Sequence, residues 1–215
     1  MPTGPIFFMG GGGTGKTTLL NMYTKQRSRE LGVITEVARS VMREKQILQV
    51  DLSRDDVFWD LQIQIAQQQI EQERTLETSI VSNYISDRCV LDALAYATLR
   101  FPDSFPPLGS VPMTQSGQAA LVKPLLGSSE VAAEVLKRYR GALMVLVRPF
   151  DSNDACDDGV RLVMSRKELD QYTARCRVLL DALEIPFVQV GKGKPNERLR
   201  FLEQCVERFQ SAISS

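Results

Sequence analysis

The 215-residue chain contains no histidine. That absence removes the imidazole base of the usual serine- and cysteine-hydrolase triads. It also leaves a His/Cys zinc site without ligands, since the four cysteines (Cys89, Cys156, Cys176 and Cys205) form no C-x-x-C pair. They read instead as scattered thiols of a reducing compartment. An excess of one charge is missing too: 26 Lys and Arg stand against 26 Asp and Glu, a formal net charge of zero. A general nucleic-acid binder needs a basic surplus to neutralise phosphates, so no nucleic-acid partner is expected. The apolar run nearest the N-terminus, Ile6-Phe7-Phe8-Met9, is four residues long with no basic segment before it. That is too short for a signal peptide or a membrane span, so the expected location is the cytoplasm. Hydrophobic residues make up 43% of the chain, enough for one ordinary core, and a single domain over 1–215 is expected.

Strand and helix patterns alternate. Ile6–Met9 reads as a buried parallel strand and residues 17–31 as a helix stopped by Gly32. Residues 33–37 read as a second strand, with Glu36 near its end, and 38–49 as a helix. Ser53-Arg54-Asp55-Asp56 resembles a capping box opening a long helix to about Glu77. Phe58, Leu61 and Ile65, with Trp59, Ile63, Ala66 and Ile70, would form its core face. Gln62, Gln64, Gln67, Gln68 and Gln69 are assigned to its solvated side. Further strands are expected at 80–86, 142–147 and 187–190, and helices at 90–99, 130–140, 167–183 and 197–212. The proline-rich stretch 101–112, within an insertion spanning about 101–123, reads as an irregular loop. It either covers a substrate pocket or is a surface excursion. Together these elements imply an α/β fold, a parallel sheet covered on both faces, with its ligand at the carboxyl ends of the strands.

The segment Gly10-Gly11-Gly12-Gly13-Thr14-Gly15-Lys16-Thr17 matches G-x-x-x-x-G-K-[ST], with Thr18 following. Glycines let the backbone turn its N–H groups inward, and the next helix points its positive end at a phosphate. Lys16 would neutralise the β- and γ-phosphates, and the Thr17 hydroxyl would ligate Mg²⁺. Gly10, Gly12 and Gly15 also fit the dinucleotide fingerprint G-x-G-x-x-G, with Glu36 as its ribose acid. The Lys16-Thr17 pair decides for a nucleoside triphosphate, since a dinucleotide fold has no use for it at the phosphate.

Asp87 closes the third strand, where its carboxylate would face the loop and hold the metal, with Arg88 reaching phosphate or acceptor. The plainer reading is an Asp–Arg ion pair at a strand end. Glu36 is the candidate general base for a hydroxyl acceptor, with Arg39 as an anchor for an anionic group; alternatively the two are a surface ion pair. Asp158-Gly159-Val160-Arg161 would lie in a lid-like segment around 150–166. Arg161 would bring a cation to the transferred group, with Arg148 or Arg166 as substitutes, unless the segment is a plain polar loop.

Residues 10–18, Glu36-Val37-Ala38-Arg39, Ser86-Asp87-Arg88-Cys89-Val90-Leu91-Asp92-Ala93-Leu94-Ala95-Tyr96 and Asp158-Gly159-Val160-Arg161 together resemble the NadR-type AAA domain family of P-loop proteins. That family is similar to nicotinamide-riboside kinases and, more distantly, to deoxynucleoside kinases. The resemblance implies a P-loop NTPase fold with a five-stranded parallel sheet in the order 2-3-1-4-5, ATP or GTP binding, and Mg²⁺. It puts Glu36 and Arg39 on the acceptor side, Asp87 and Arg88 on the metal and phosphate side, and Arg161 on the lid side. The leading expectation is a phosphotransferase moving a γ-phosphoryl group to a small nucleoside-like hydroxyl acceptor. A nucleotide-dependent regulatory switch is the alternative, and a bare NTPase the third reading.

Overall fold

The computed structural model describes residues 4–26, 31–79, 83–112, 114–149, 164–191 and 193–213. Five strands form one parallel sheet: β1 (Ile6–Met9), β2 (Gly32–Ile34), β3 (Tyr84–Asp87), β4 (Leu143–Val147) and β5 (Phe187–Val190). Their order is β2-β3-β1-β4-β5, as the resemblance implied. The registers Phe8↔Asp87 and Phe8↔Val145 bring the carboxyl ends of β3 and β4 level with the end of β1.

Strand periodicity explains the layering. Phe7 and Met9 of β1, with Met144 and Leu146 of β4, belong to one core cluster; Ile6, Phe8, Leu143, Val145 and Val147 belong to another. The second cluster is closed by α1 (Lys16–Lys25) and α8 (Pro195–Ile213), through Leu19, Leu20, Tyr23, Leu199, Leu202 and Val206. The first is closed by α2 (Val37–Glu44), α3 (Asp55–Glu77), α4 (Val90–Arg100), α5 (Gln115–Leu126), α6 (Ser129–Arg140) and α7 (Arg166–Ala182). Both faces are covered, and the central strands read as continuous apolar runs for that reason.

Several boundaries differ from the sequence reading. Strand β2 ends at Ile34, and Val37 already begins α2. Gly32 is the first residue of β2, not a helix stop; a Cβ there would stand 3.1 Å from both Leu76 and Tyr84. Helix α1 ends at Lys25, and residues 27–30 lie outside those described. Helix α2 is shorter than expected, and a 3₁₀ turn over Gln49–Ser53 precedes α3. Ser53 therefore does not cap α3. Its hydroxyl donates to Val50 O at 2.8 Å, and Arg54 holds the N-cap position without a side-chain cap.

The glutamine assignment along α3 fails at two positions. Gln62 and Gln69 are 4% and 1% exposed, and Glu73 is completely buried. The stretch 101–112 forms two 3₁₀ turns, and α5 follows, a helix masked by its proline and glycine signals. Phe101 and Phe105 pack on Trp59 with ring centroids 5.4 and 5.8 Å apart, so the segment buttresses the start of α3.

Candidate functional site

The loop between β1 and α1 starts with a glycine that nothing else could replace. Gly10 has φ 150°, and a Cβ there would meet Val147 O at 2.6 Å. Gly15 takes the N-cap of α1 at φ 81°, a left-handed conformation, and supplies no side-chain cap. The first amides of α1 are thus left for an anion, at the positive end of the helix. Lys16 points back into the loop: its Nζ donates to Gly11 O at 2.7 Å. Burial, and then the nearby Arg88, push its pKa down to about 8, so this ammonium is poorly solvated and short of counter-charge.

Asp87 lies at the end of β3, 2% exposed. Its Oδ2 accepts the Thr17 hydroxyl, while its Oδ1 is buried without a hydrogen-bond partner among the described residues. A buried carboxylate oxygen left bare is costly unless something cationic occupies the position.

Arg88 turns away from Asp87, so the anticipated pair between these neighbours is not what forms. With φ 110°, it sends its guanidinium to Glu36 Oε1 (2.9 Å), Gly10 O (2.9 Å) and Asp92 Oδ1 (3.1 Å). Burial disfavours its charge, but Glu36 foremost outweighs that and holds its pKa above the ordinary value. Glu36 Oε2 accepts from Arg39 Nε at 2.8 Å, the ion pair foreseen as the plainer reading of those two residues. Glu36 stands just beyond β2, at the N-cap of α2.

Three residues of the site escaped the sequence reading. Asp92 Oδ1 accepts from Gly10 N (3.1 Å) and from the Tyr172 hydroxyl (2.8 Å), as well as from Arg88. Arg88 and Asp92 thereby grip the carbonyl and the amide of the same glycine. Their i, i+4 spacing across the start of α4 was the available signal; Tyr172, 80 residues further on, offered none. Arg198 of α8 donates to Thr14 O at 2.9 Å and Arg148 O at 2.8 Å, tying the loop's crown to the end of β4.

A largely apolar cleft opens beside the loop. Its polar lining includes Glu36, Arg39 and Arg88 beside Gly12 of the loop; its apolar walls include Met42, Leu52, Phe58, Leu61 and Ile65. Gln62 also lines it, and its amide has no hydrogen-bond partner among the described residues. On the other side of Glu36, a second pocket exposes Thr17, Asp87, Arg39 and Arg43. Thr18 borders a small recess with Gly15, Pro195 and Arg198. The site thus brings together Gly10 through Thr18, Glu36, Arg39, Asp87 and Arg88. Arg161 and the Asp158-Gly159-Val160 run lie outside the described residues. Of the two substitutes, Arg166 pairs with Asp170 at 3.1 Å, and Arg148 is engaged through its backbone carbonyl. No described helix is long and apolar enough to cross a membrane.

Solved structures share this fold. A NadR protein in complex with NR superposes with a TM-score of 0.65 at 16% identity, over 97% of this chain and 52% of that one. This chain therefore spans about half the length of that protein. Deoxyadenosine kinase from M. mycoides with bound dATP gives 0.53 at 12% identity, covering 94% and 99% of the two chains. Thymidylate kinase from Candida albicans gives 0.50 at 13%, covering 95% and 91%. At these identities the likeness is one of fold, a kinase-like P-loop fold. No curated protein matches the chain in sequence. A family model described as an AAA domain matches residues 5–198, nearly all of the described fold, and the chain belongs to that AAA domain family of P-loop proteins.

Proposed function

We propose that the protein is a Mg²⁺-dependent phosphotransferase that passes the γ-phosphoryl group of ATP or GTP to a hydroxyl of a small, nucleoside-like acceptor. The observation that carries this reading is the cleft: a largely apolar slot lined by both Gly12 of the phosphate loop and Glu36. An acceptor held there would present its hydroxyl to the end of a triphosphate cradled by residues 10–17. The unpartnered Gln62 amide offers one donor and one acceptor to the acceptor's flat polar edge, as a base or carboxamide would require. The solved kinases of like fold act on nucleosides or nucleotides by their names, which favours the same class here.

Magnesium fits the residues present. The bare, buried Asp87 Oδ1 and the Thr17 hydroxyl are hard oxygen donors side by side. No cluster of three or more metal-binding side chains stands among the described residues, which suits an ion that keeps its waters and binds mostly phosphate. When bound, it would neutralise charge on the β- and γ-phosphate oxygens. Lys16 would leave Gly11 O for the phosphates. Glu36, paired with Arg39 and Arg88, would accept the acceptor's hydroxyl hydrogen and aim its oxygen. Arg88 would hold the loop and Glu36 in one frame, and Arg39 would meet any anionic group in the cleft. Arg161 keeps the proposed part of a lid cation.

The test is incubation with γ-labelled ATP or GTP, Mg²⁺ and a panel of nucleosides and small alcohols. Labelled product, lost in Glu36→Gln while nucleotide binding survives, is the expected outcome. Tight nucleotide binding with transfer to nothing would move the assignment to a regulatory switch.

A further inference from the structure

The segment from Ser86 to Val90 carries both Asp87 and Arg88, and it is held from two sides. In front, Arg88 and Asp92 bond to the loop. Behind, Gln69, which is 1% exposed and also borders the cleft, donates through Nε2 to Ser86 Oγ at 3.0 Å and approaches Arg88 O at 3.5 Å. The Tyr139 hydroxyl accepts from Val90 N at 2.9 Å. Both of these groups converge on one atom: Glu73 Oε1 accepts from Gln69 at 2.8 Å and from Tyr139 at 3.0 Å. The other carboxylate oxygen accepts from Arg138 at 3.0 Å.

An ionised carboxylate accepts and cannot donate, so it fixes the direction of every bond around it. Tyr139 has a single hydroxyl hydrogen; giving it to Glu73 leaves a lone pair for the Val90 amide. Gln69 must turn its NH₂ toward Glu73, and the same nitrogen then reaches Ser86. The junction that results is strained: Arg88 sits at φ 110°, a region that side-chain-bearing residues rarely adopt. A buried ion pair is poor evidence for stability, because apolar packing of equal volume does as well. Its place behind the one strained residue that grips the phosphate loop is what gives it meaning.

We infer that Glu73 is a positioning residue of the phosphate site: by orienting Gln69 and Tyr139 it fixes the β3–α4 junction, and through Arg88 it sets the entrance of the loop at Gly10. Only the turnover arm of the test below rests on the proposed activity. The groups facing Glu73 are Arg138 and Tyr139 of α6, Tyr84 of β3, Cys89 ahead of α4, and Glu77 on its own helix. Burial raises the Glu73 pKa to about 7, so near neutrality the orienting charge itself titrates.

Hydrogen exchange on the ligand-free full chain tests this directly. In Glu73→Gln and Tyr139→Phe, amide exchange over residues 84–92 and 10–17 should quicken by about tenfold, the factor expected from one lost buried hydrogen bond. Exchange in α8 should stay as in the wild type. The Glu73→Gln difference should shrink below pH 6, where the wild-type carboxyl is itself protonated; a purely structural role would leave it constant. Where the wild type turns over, kcat should fall with the acceptor KM little changed. Should Glu73→Gln fail to fold, Tyr139→Phe, which spares the Glu73–Arg138 pair, carries the test. Unchanged exchange over 84–92 in a folded variant overturns the inference. Exchange that quickens as expected in a protein that transfers phosphate to nothing would leave the inference standing and remove the proposed activity.

Discussion

Replacing Lys16 with methionine should make the empty protein more stable and the site useless. The Lys16 ammonium is 4% exposed and its pKa is lowered from 10.5 to about 8, with burial the first cause. That shift corresponds to about 3 kcal/mol of unfavourable burial at pH 7, where the group is charged both folded and unfolded. Methionine keeps the length and the apolar stem but loses the 2.7 Å bond to Gly11 O, which offsets about 1 kcal/mol. The net expectation is a gain near 2 kcal/mol, a rise in Tm of roughly 4–8 °C for a chain of this size. The folded form loses the Lys16 proton at lower pH than the unfolded form does. Raising the pH through 8 toward 10.5 therefore restores stability to the wild type, and by pH 9 about 1.4 kcal/mol of the difference should have gone. Urea unfolding at pH 7 and pH 9, with and without millimolar MgATP, measures all of it. Nucleotide should raise the wild-type Tm and leave Lys16→Met unmoved. A variant no more stable than the wild type at pH 7, or one equally protected by nucleotide, would refute the reasoning.

Three further outcomes follow from the same geometry. Gly10→Ala places a methyl 2.6 Å from Val147 O at φ 150°, and should cost about 2 kcal/mol or more in urea unfolding while lowering nucleotide affinity. Asp87→Asn removes the negative charge at the bare Oδ1 position; the Mg²⁺ concentration for half-maximal turnover should rise by about 10- to 100-fold, read from a magnesium titration. Glu73→Gln should flatten a pH dependence. Folded Glu73 keeps its proton up to about pH 7, so wild-type stability falls as pH rises from about 4.5 to 7, by about 3 kcal/mol relative to the variant in parallel unfolding curves.

What could be read from the sequence was what depends on neighbours along the chain. Residues 10–17 were legible because a phosphate cradle is made of consecutive amides, and glycine reaches the positive φ of Gly10 and Gly15 without a side-chain penalty. The sheet order came with the resemblance, and the five strands with their apolar runs. The misreadings arise where tertiary surroundings or a competing local turn overrode the local preference. Gln62 and Gln69 look solvated on a helical wheel, yet one faces a cleft and the other meets Glu73 and Ser86. Ser53 looks like a helix cap, but Asp51 bonds Leu48 N first and closes a 3₁₀ turn through it. Strand β2 stops at Ile34, and two residues later Glu36 is held by Arg88, 52 positions away.

The charges of the site obey a stricter economy than the zero net charge of the chain suggests. Lys16, Asp87, Arg88 and Asp92 are each under 9% exposed, and all sit at the carboxyl ends of β1 and β3. Each is unfavourable to bury alone, and three of the four are compensated within the protein by named bonds. Lys16 is the exception, with a carbonyl in place of a counter-ion, and Asp87 is compensated on one oxygen only. The two shortfalls are complementary in sign and adjacent through Thr17. On the proposed function, a magnesium-bound polyphosphate would supply an anion to the first and a cation to the second, and binding would relieve both unfavourable burials at once. The empty protein would then be the less stable state, and the ligand would restore what the two unpaired burials cost.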